Sequence, residues 1–219
     1  MKLEVSRSEV LTRARLLQLM SALERMGGTP VETLDLHAFA YLSNVLSPLW
    51  ELEPLDYSVL KDRTKTGPYY PALQRELESA VGQGLIEVVD LHSIDTPDET
   101  SLRATFRLAF ERARPLLAVL DGLPDERETS AFLTELAGAF LDIRDDRRDD
   151  AAALDAAYSD PEIPEDRVVD FGSEVVSRAV NASLNTARQL QHYAPVGVTL
   201  NRAERLVMYV RLLKRKAHG

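Results

Sequence analysis

The chain reads as a mainly helical protein with one small β-hairpin set into it. Three observations carry this. Residues 64–91 pass from a turn (Gly67-Pro68-Tyr69-Tyr70-Pro71) into a short helix, stop at Gly82 and Gly84, and enter an apolar strand at once. Leu102, Ala104, Phe106, Leu108 and Phe110 alternate with other residues, the period of a half-buried strand. Upstream, two segments repeat apolar residues at helical spacing. Helix, helix, short helix, helix, strand, strand is the order of a winged-helix domain, expected over residues 1–112. Residues 113–219 read as a helical domain, with a second winged-helix-like unit as the alternative.

Residues 8–26 form the first amphipathic segment, with Ser8 as N-cap and Val10, Leu11, Ala14, Leu17 and Leu23 near the helical period. Gly27-Gly28 stop it, and Thr29-Pro30 begin the next connection. The second helix covers about 33–46, with Leu34, His37, Ala38, Tyr41, Leu42 and Val45 on one face. Pro48 ends it, because proline cannot donate the helical hydrogen bond. Leu49-Trp50-Glu51-Leu52 then crosses irregularly, and a short helix is expected around 55–62. Pro68 or Pro71 opens the third main helix, whose stripe is Leu73, Leu77 and Val81. Residues 85–91 are the first hairpin strand, 95–99 its turn, and 102–110 the second strand.

In the second half, Pro115 falls in the first turn of a helix over about 113–121. Asp121-Gly122-Leu123-Pro124 breaks it, and Thr129-Ser130 lead into the stripe Phe132, Leu133, Leu136, Phe140 and Ile143. Residues 151–158 favour helix, and Pro161 and Pro164 impose a loop. Residues 173–193 read as a helix with Val176, Val180, Leu184, Ala187 and Leu190. The last helix, about 201–216, is capped by Asn201.

Composition narrows the function. There are no cysteines among the 219 residues. That removes disulfides, thiolate zinc sites and cysteine nucleophiles, and it suits a reducing cytosol, so a cytoplasmic location is expected. No apolar run is long enough to span a membrane. The formal charge of −9 argues against an autonomous nucleic-acid binder unless the bases gather on one surface.

Residues 144–170 hold ten acids against four bases. Carboxylates in Asp145, Asp146, Asp149 and Asp150 could share magnesium, but Arg147 and Arg148 sit among them and compete. A solvated helix end laced with ion pairs is the favoured reading, and no metal or cofactor is assigned. None of His37, His92, His192 and His218 lies three or four residues from another, so no helical metal pair exists. His37 reads as a hydrogen-bonded core histidine. Gly82-Gln83-Gly84 is a helix stop, because a strand follows it rather than a helix. No phosphate loop, nucleophile elbow or kinase signature occurs. No catalytic residue is assigned, and no small-molecule substrate is expected.

A major-groove reader needs Arg, Lys, Asn or Gln toward base edges and further bases toward phosphates. Residues 69–83 offer Gln74, Arg75 and Gln83, but one base against two acids leaves that helix at −1. Lys61, Arg63 and Lys65 in the preceding loop are candidates for touching a DNA backbone. Residues 202–216 are the opposite case, with six bases and one acid. Cations there suit the helix dipole in any protein. They also make Lys214, Arg215 and Lys216 candidates for backbone contact, and Arg202, Arg205 and Arg211, with Trp50, Tyr69 and Tyr70, candidates for a protein partner.

The order Leu36-His37-Ala38-Phe39-Ala40-Tyr41-Leu42, Leu49-Trp50, Gly67-Pro68-Tyr69-Tyr70-Pro71-Ala72-Leu73-Gln74 and Gly82-Gln83-Gly84-Leu85-Ile86 resembles the middle component of bacterial ABC-three-component defence systems. The small subunit of Lamassu-type systems is similar in size. The resemblance covers about residues 10–110. It implies a winged-helix accessory subunit encoded beside an ATPase resembling the structural-maintenance-of-chromosomes (SMC) proteins, and beside an effector, often a nuclease. It carries over no catalytic residues. DNA would be met only within the complex. The Gly67–Pro71 turn is also similar to antitoxins of the Panacea type, so a stand-alone winged-helix regulator or antitoxin is the alternative, and a magnesium enzyme built on the acidic run a distant third.

Overall fold

The fold is described from a computed structural model over residues 7–54, 58–61, 67–95, 100–159, 167–170 and 181–218. In chain order the elements are α1 (Arg7–Arg25), β1 (Val31–Glu32), α2 (Thr33–Leu46), β2 (Ser58–Lys61), α3 (Pro71–Gly82), β3 (Ile86–Asp95), β4 (Thr100–Leu108), α4 (Phe110–Asp121), α5 (Pro124–Leu141), α6 (Arg148–Ala153), β5 (Arg167–Asp170), α7 (Ala182–Gln189) and α8 (Arg202–His218). Short 3-10 turns cover Ser47–Trp50, Asp145–Arg147 and Leu190–Tyr193. The protein is thus mainly helical with a small antiparallel sheet, whose strand order is β1-β4-β3. A second, two-stranded sheet pairs β2 with β5 antiparallel.

α1 ends where it should. Gly27 takes φ +77°, and the Gly28 N–H reaches back to the Leu23 carbonyl at 2.8 Å, the closure of a glycine-terminated helix. Gly84 does the same for α3 with φ +69°. β3 leaves directly from it and pairs with β4 through a register in which Val88 faces Phe106 and Asp90 faces Thr105, so Val89 is an extra residue. Such a bulge bends the ribbon.

The core centres on α2. Every residue from Asp35 to Leu46 is buried, so the helix is covered all round, not on one face as its periodicity suggests. α1, α5, α6 and α7 all pack against it; the first precedes it in the chain and the other three follow it. The hydrophobic core runs without a break from Leu16 to Leu213. The boundary drawn at 112/113 does not coincide with a gap in it.

Several local expectations are corrected. Ser58–Lys61 is a strand, not part of a helix around 55–62. Its partner β5 is more than a hundred residues away, a pairing that local pattern cannot show. Val10 and Leu11 are exposed; Leu16, Leu17, Leu19, Met20 and Leu23 form the buried face of α1. Ser8 lies inside α1 instead of capping it. Phe110 begins α4 and is exposed, so the strand stops at Leu108. Pro115 lies inside α4 rather than in its first turn. α5 starts at Pro124, five residues before the expected Thr129 lead-in. The hairpin turn at 96–99 and the stripe residues Val176 and Val180 fall outside the described residues.

Candidate functional site

α3 carries the charge question, so its surroundings come first. His37, fully buried in α2, accepts the Tyr70 N–H on Nδ1 at 3.1 Å. Nδ1 is therefore unprotonated, and Nε2–H donates to Gln74 Oε1 at 3.2 Å. The Tyr69 ring lies 4.4 Å from the imidazole. This knot holds the chain as it enters α3. It also consumes Gln74, whose Nε2 donates to Glu78 at 3.0 Å. Gln83 donates to Ser79 Oγ at 3.0 Å, and Arg13 of α1 meets Glu76 at 2.5 Å. Of the side chains that could address base edges, Arg75 and Gln83 are exposed, Arg75 next to Glu78 and Gln83 bonded to Ser79.

A second buried knot sits under α8. Asp155 is fully buried. Its Oδ2 accepts Tyr41 Oη and Ser183 Oγ, each at 2.7 Å, and the Ala157 N–H at 3.0 Å. Its Oδ1 accepts Tyr209 Oη at 2.5 Å. Burial first, then the adjacent carboxylate, hold both phenols well above their ordinary pKa. They stay neutral donors at any working pH. With the acceptors filled and no access for a reactant, the group joins α2, α7 and α8; it is not arranged for proton transfer.

The acidic run splits in two. Arg144–Asp146 at 2.8 Å and Arg147–Asp150 at 2.9 Å are exposed or half-exposed pairs, as the ion-pair reading has it. Arg148 instead turns inward. It reaches Asp35 of α2 at 3.0 Å and Asp145 at 2.7 Å, with its guanidinium 5.5 Å from the centre of the Phe140 ring. Burial lifts the Asp35 carboxyl to about 6, against the opposing pull of Arg148. Among the described residues no cluster of three or more metal-ligating side chains forms.

The candidate contact residues scatter. Trp50 and Tyr70 are only 7% and 2% exposed and belong to the core, which corrects their assignment to a partner surface: Trp50 packs on Phe132 and under the Arg202 guanidinium, 4.0 Å from its ring centre. An aromatic in an irregular crossing is indistinguishable by sequence from an interface anchor. Tyr69 is half-buried. Arg202 is paired with Glu128 at 2.7 Å, and Arg205 is half-buried, its Nε without a hydrogen-bond partner among the described residues. Arg211, Arg215 and Lys216 are exposed on α8, and Lys214 is half-exposed. Lys61 lies on β2, while Arg63 and Lys65 fall outside the described residues. Sequence reasoning missed Asp155, Tyr209 and Arg148 as structural polar groups. An acid set among Ala151–Ala157 was the available signal for the first.

No helix among the described residues is long and apolar enough to cross a membrane. A scan against protein-family models and searches of curated proteins and solved structures find no match to the chain.

Proposed function

We propose that this chain is a non-catalytic accessory subunit that works by docking proteins, with residues 7–108 acting as a winged helix. The element order supports that reading: β1, lying between the first two helices, joins the β3–β4 hairpin through β4. The observation that carries the function is the state of α3. Its polar side chains are largely satisfied within the chain, and its exposed surface offers Arg75 beside Glu78. Phosphate neutralisation supplies most of the affinity of DNA readers, and α3 does not provide it.

With the resemblance noted above, the partners are an SMC-like ATPase and an effector, a nuclease being the usual kind, in anti-phage or anti-plasmid defence in the cytoplasm. The subunit bridges the ATPase or restrains the effector, and DNA is met only in the assembled complex. Co-expression with the products of the neighbouring genes tests this. A complex with a large coiled-coil ATPase surviving size-exclusion chromatography is expected. A self-paired dimer that shifts an operator duplex unaided, with steep salt dependence, overturns it in favour of a stand-alone regulator.

A further inference from the structure

The outer face of α8 carries the exposed cations Arg211, Arg215 and Lys216. Leu206, Tyr209, Val210 and Leu213 bury one side of the helix. At 3.6 residues per turn, the order around the opposite side is Arg211, Glu204, Arg215, Met208, Leu212, Arg205, Lys216; the Glu204 carboxylate, one turn before Met208, accepts the Asn201 N–H at 2.8 Å, and Arg205 is half-buried. Met208 and Leu212, one turn apart, are half-exposed, and neither packs on the core. Arg211 and Arg215 border this apolar pair on one flank and Lys216 borders it on the other. Among the described residues none of the three cations has a carboxylate partner, in contrast to Arg202 on the same helix, which is paired with Glu128.

Stabilising the helix dipole needs cations only in the final turn. Arg211 lies two turns before the end, so that role does not account for it. A DNA duplex is the poorer fit as occupant. The acidic turn Asp145–Arg147 packs beside α8, and the whole chain carries −9, so a long polyanion meets repulsion around a footprint only about two turns long. An apolar pair framed by cations matches a short segment with an apolar ridge and acidic borders.

We infer that the Met208–Leu212 ridge, framed by Arg211, Arg215 and Lys216, docks an acidic amphipathic helix of a partner protein. The inference rests on the protein-docking role proposed above and names its surface and the chemistry of its partner.

The probe is a fluorescein-labelled synthetic peptide of about four helical turns, with leucines along one face and glutamates elsewhere. Two controls are its scrambled isomer of equal charge and a labelled short DNA duplex, all titrated with the full chain by anisotropy. Binding of the peptide about tenfold tighter than the scramble and the duplex is expected. Most of it should be lost in the triple variant Arg211→Glu/Arg215→Glu/Lys216→Glu and reduced in Leu212→Ser. Equal binding of the scramble, tighter binding of the duplex, or an unchanged triple variant overturns the inference. All variants are at exposed or half-exposed positions, and circular dichroism checks that they remain folded. Pull-down of the co-expressed ATPase separates the two claims. A complex formed equally by wild type and triple variant removes this surface and leaves the docking role standing. Absence of the complex with wild type removes the role, while the peptide titration still judges the surface.

Discussion

α3 and α8 are both amphipathic, both exposed along one side, and both fastened from beneath by a buried polar knot. They differ in what happens to their polar side chains. On α3, His37 captures Gln74 and Arg13 captures Glu76. On α8, Arg211, Arg215 and Lys216 remain uncommitted among the described residues. Counting charges along a helix therefore gives its total and not its availability. Availability depends on partners 37 and 63 residues away for α3, and these can be seen only in three dimensions. The knots differ too. The one under α3 is a single imidazole, whereas the one under α8 is a carboxylate serving four donors. This contrast in anchoring ranks the expected effects of mutation.

The largest effect belongs to Asp155→Ala. It strands the Tyr41, Ser183 and Tyr209 hydroxyls in a dry interior, and an unsatisfied buried group costs about 1–3 kcal/mol. With partial rearrangement the loss should be about 3–5 kcal/mol in a denaturant titration. A loss below about 1 kcal/mol would mean that the knot is not what fastens α8, and the contrast with α3 would collapse.

Asp35 comes next, and its effect has a sign. Burial raises its carboxyl from 3.8 to about 6 in the folded protein, with Arg148 pulling the other way and Asp149 and Glu32 adding to the rise. The folded state thus holds this proton more tightly than the unfolded chain. The associated stability is complete below 3.8 and is lost as pH rises through about 6. The shift corresponds to about 3 kcal/mol at most. Unfolding free energies of wild type and Asp35→Asn, measured across that window, should converge or cross as pH rises, with wild type losing ground. If wild type instead gains over the variant with rising pH, the ion pair with Arg148 outweighs burial.

The α3 knot is smaller. His37→Leu keeps the volume roughly but leaves the Tyr70 N–H unpaired and frees Gln74. A cost of about 1–3 kcal/mol is expected, below that of Asp155→Ala. Hydrogen exchange at the Tyr70 amide should accelerate by more than the global change accounts for. An ordering opposite to this one would reverse the comparison between the two anchors.

Much of the fold was legible because it is locally encoded. α2 agrees with its expected bounds, the Gly27-Gly28 stop behaves as glycine pairs do, and the stripe Phe132, Leu133, Leu136, Phe140 is buried as its spacing implies. His37 is the hydrogen-bonded core histidine its position suggested. Illegible parts depend on distant chain. β2 exists because β5 lies beside it. Trp50 is core because α5 and Arg202 cover it. Arg148 leaves its acidic neighbourhood because Asp35 of α2 is within reach. The exposed half of α8 was legible as charge, but its half-exposed Met208 and Leu212 were not, since their neighbours decide whether an apolar residue is covered.

Helix entry gives the smallest test and the most local one. α3 has no side-chain cap; Tyr70 precedes it, Pro71 opens it, and tertiary contact through His37 supplies the order. α8 is capped by its own sequence. Asn201 Oδ1 accepts the Glu204 N–H at 2.9 Å, and Glu204 Oε2 accepts the Asn201 N–H at 2.8 Å. That reciprocal pair satisfies two donors that would otherwise face water. Asn201→Ala should cost about 1 kcal/mol, since Glu204 keeps its half of the bond. Glu204→Ala should cost less than that, and the double variant should cost more than either alone but less than their sum. Because the box is local, the same rank order should appear as helicity in an isolated peptide spanning residues 199–218. A peptide of residues 69–83 should show almost no helix, because its order comes from α2. Equal helicity in both peptides would mean that α3 needs no outside help, and that the anchoring difference between the two helices lies in packing alone.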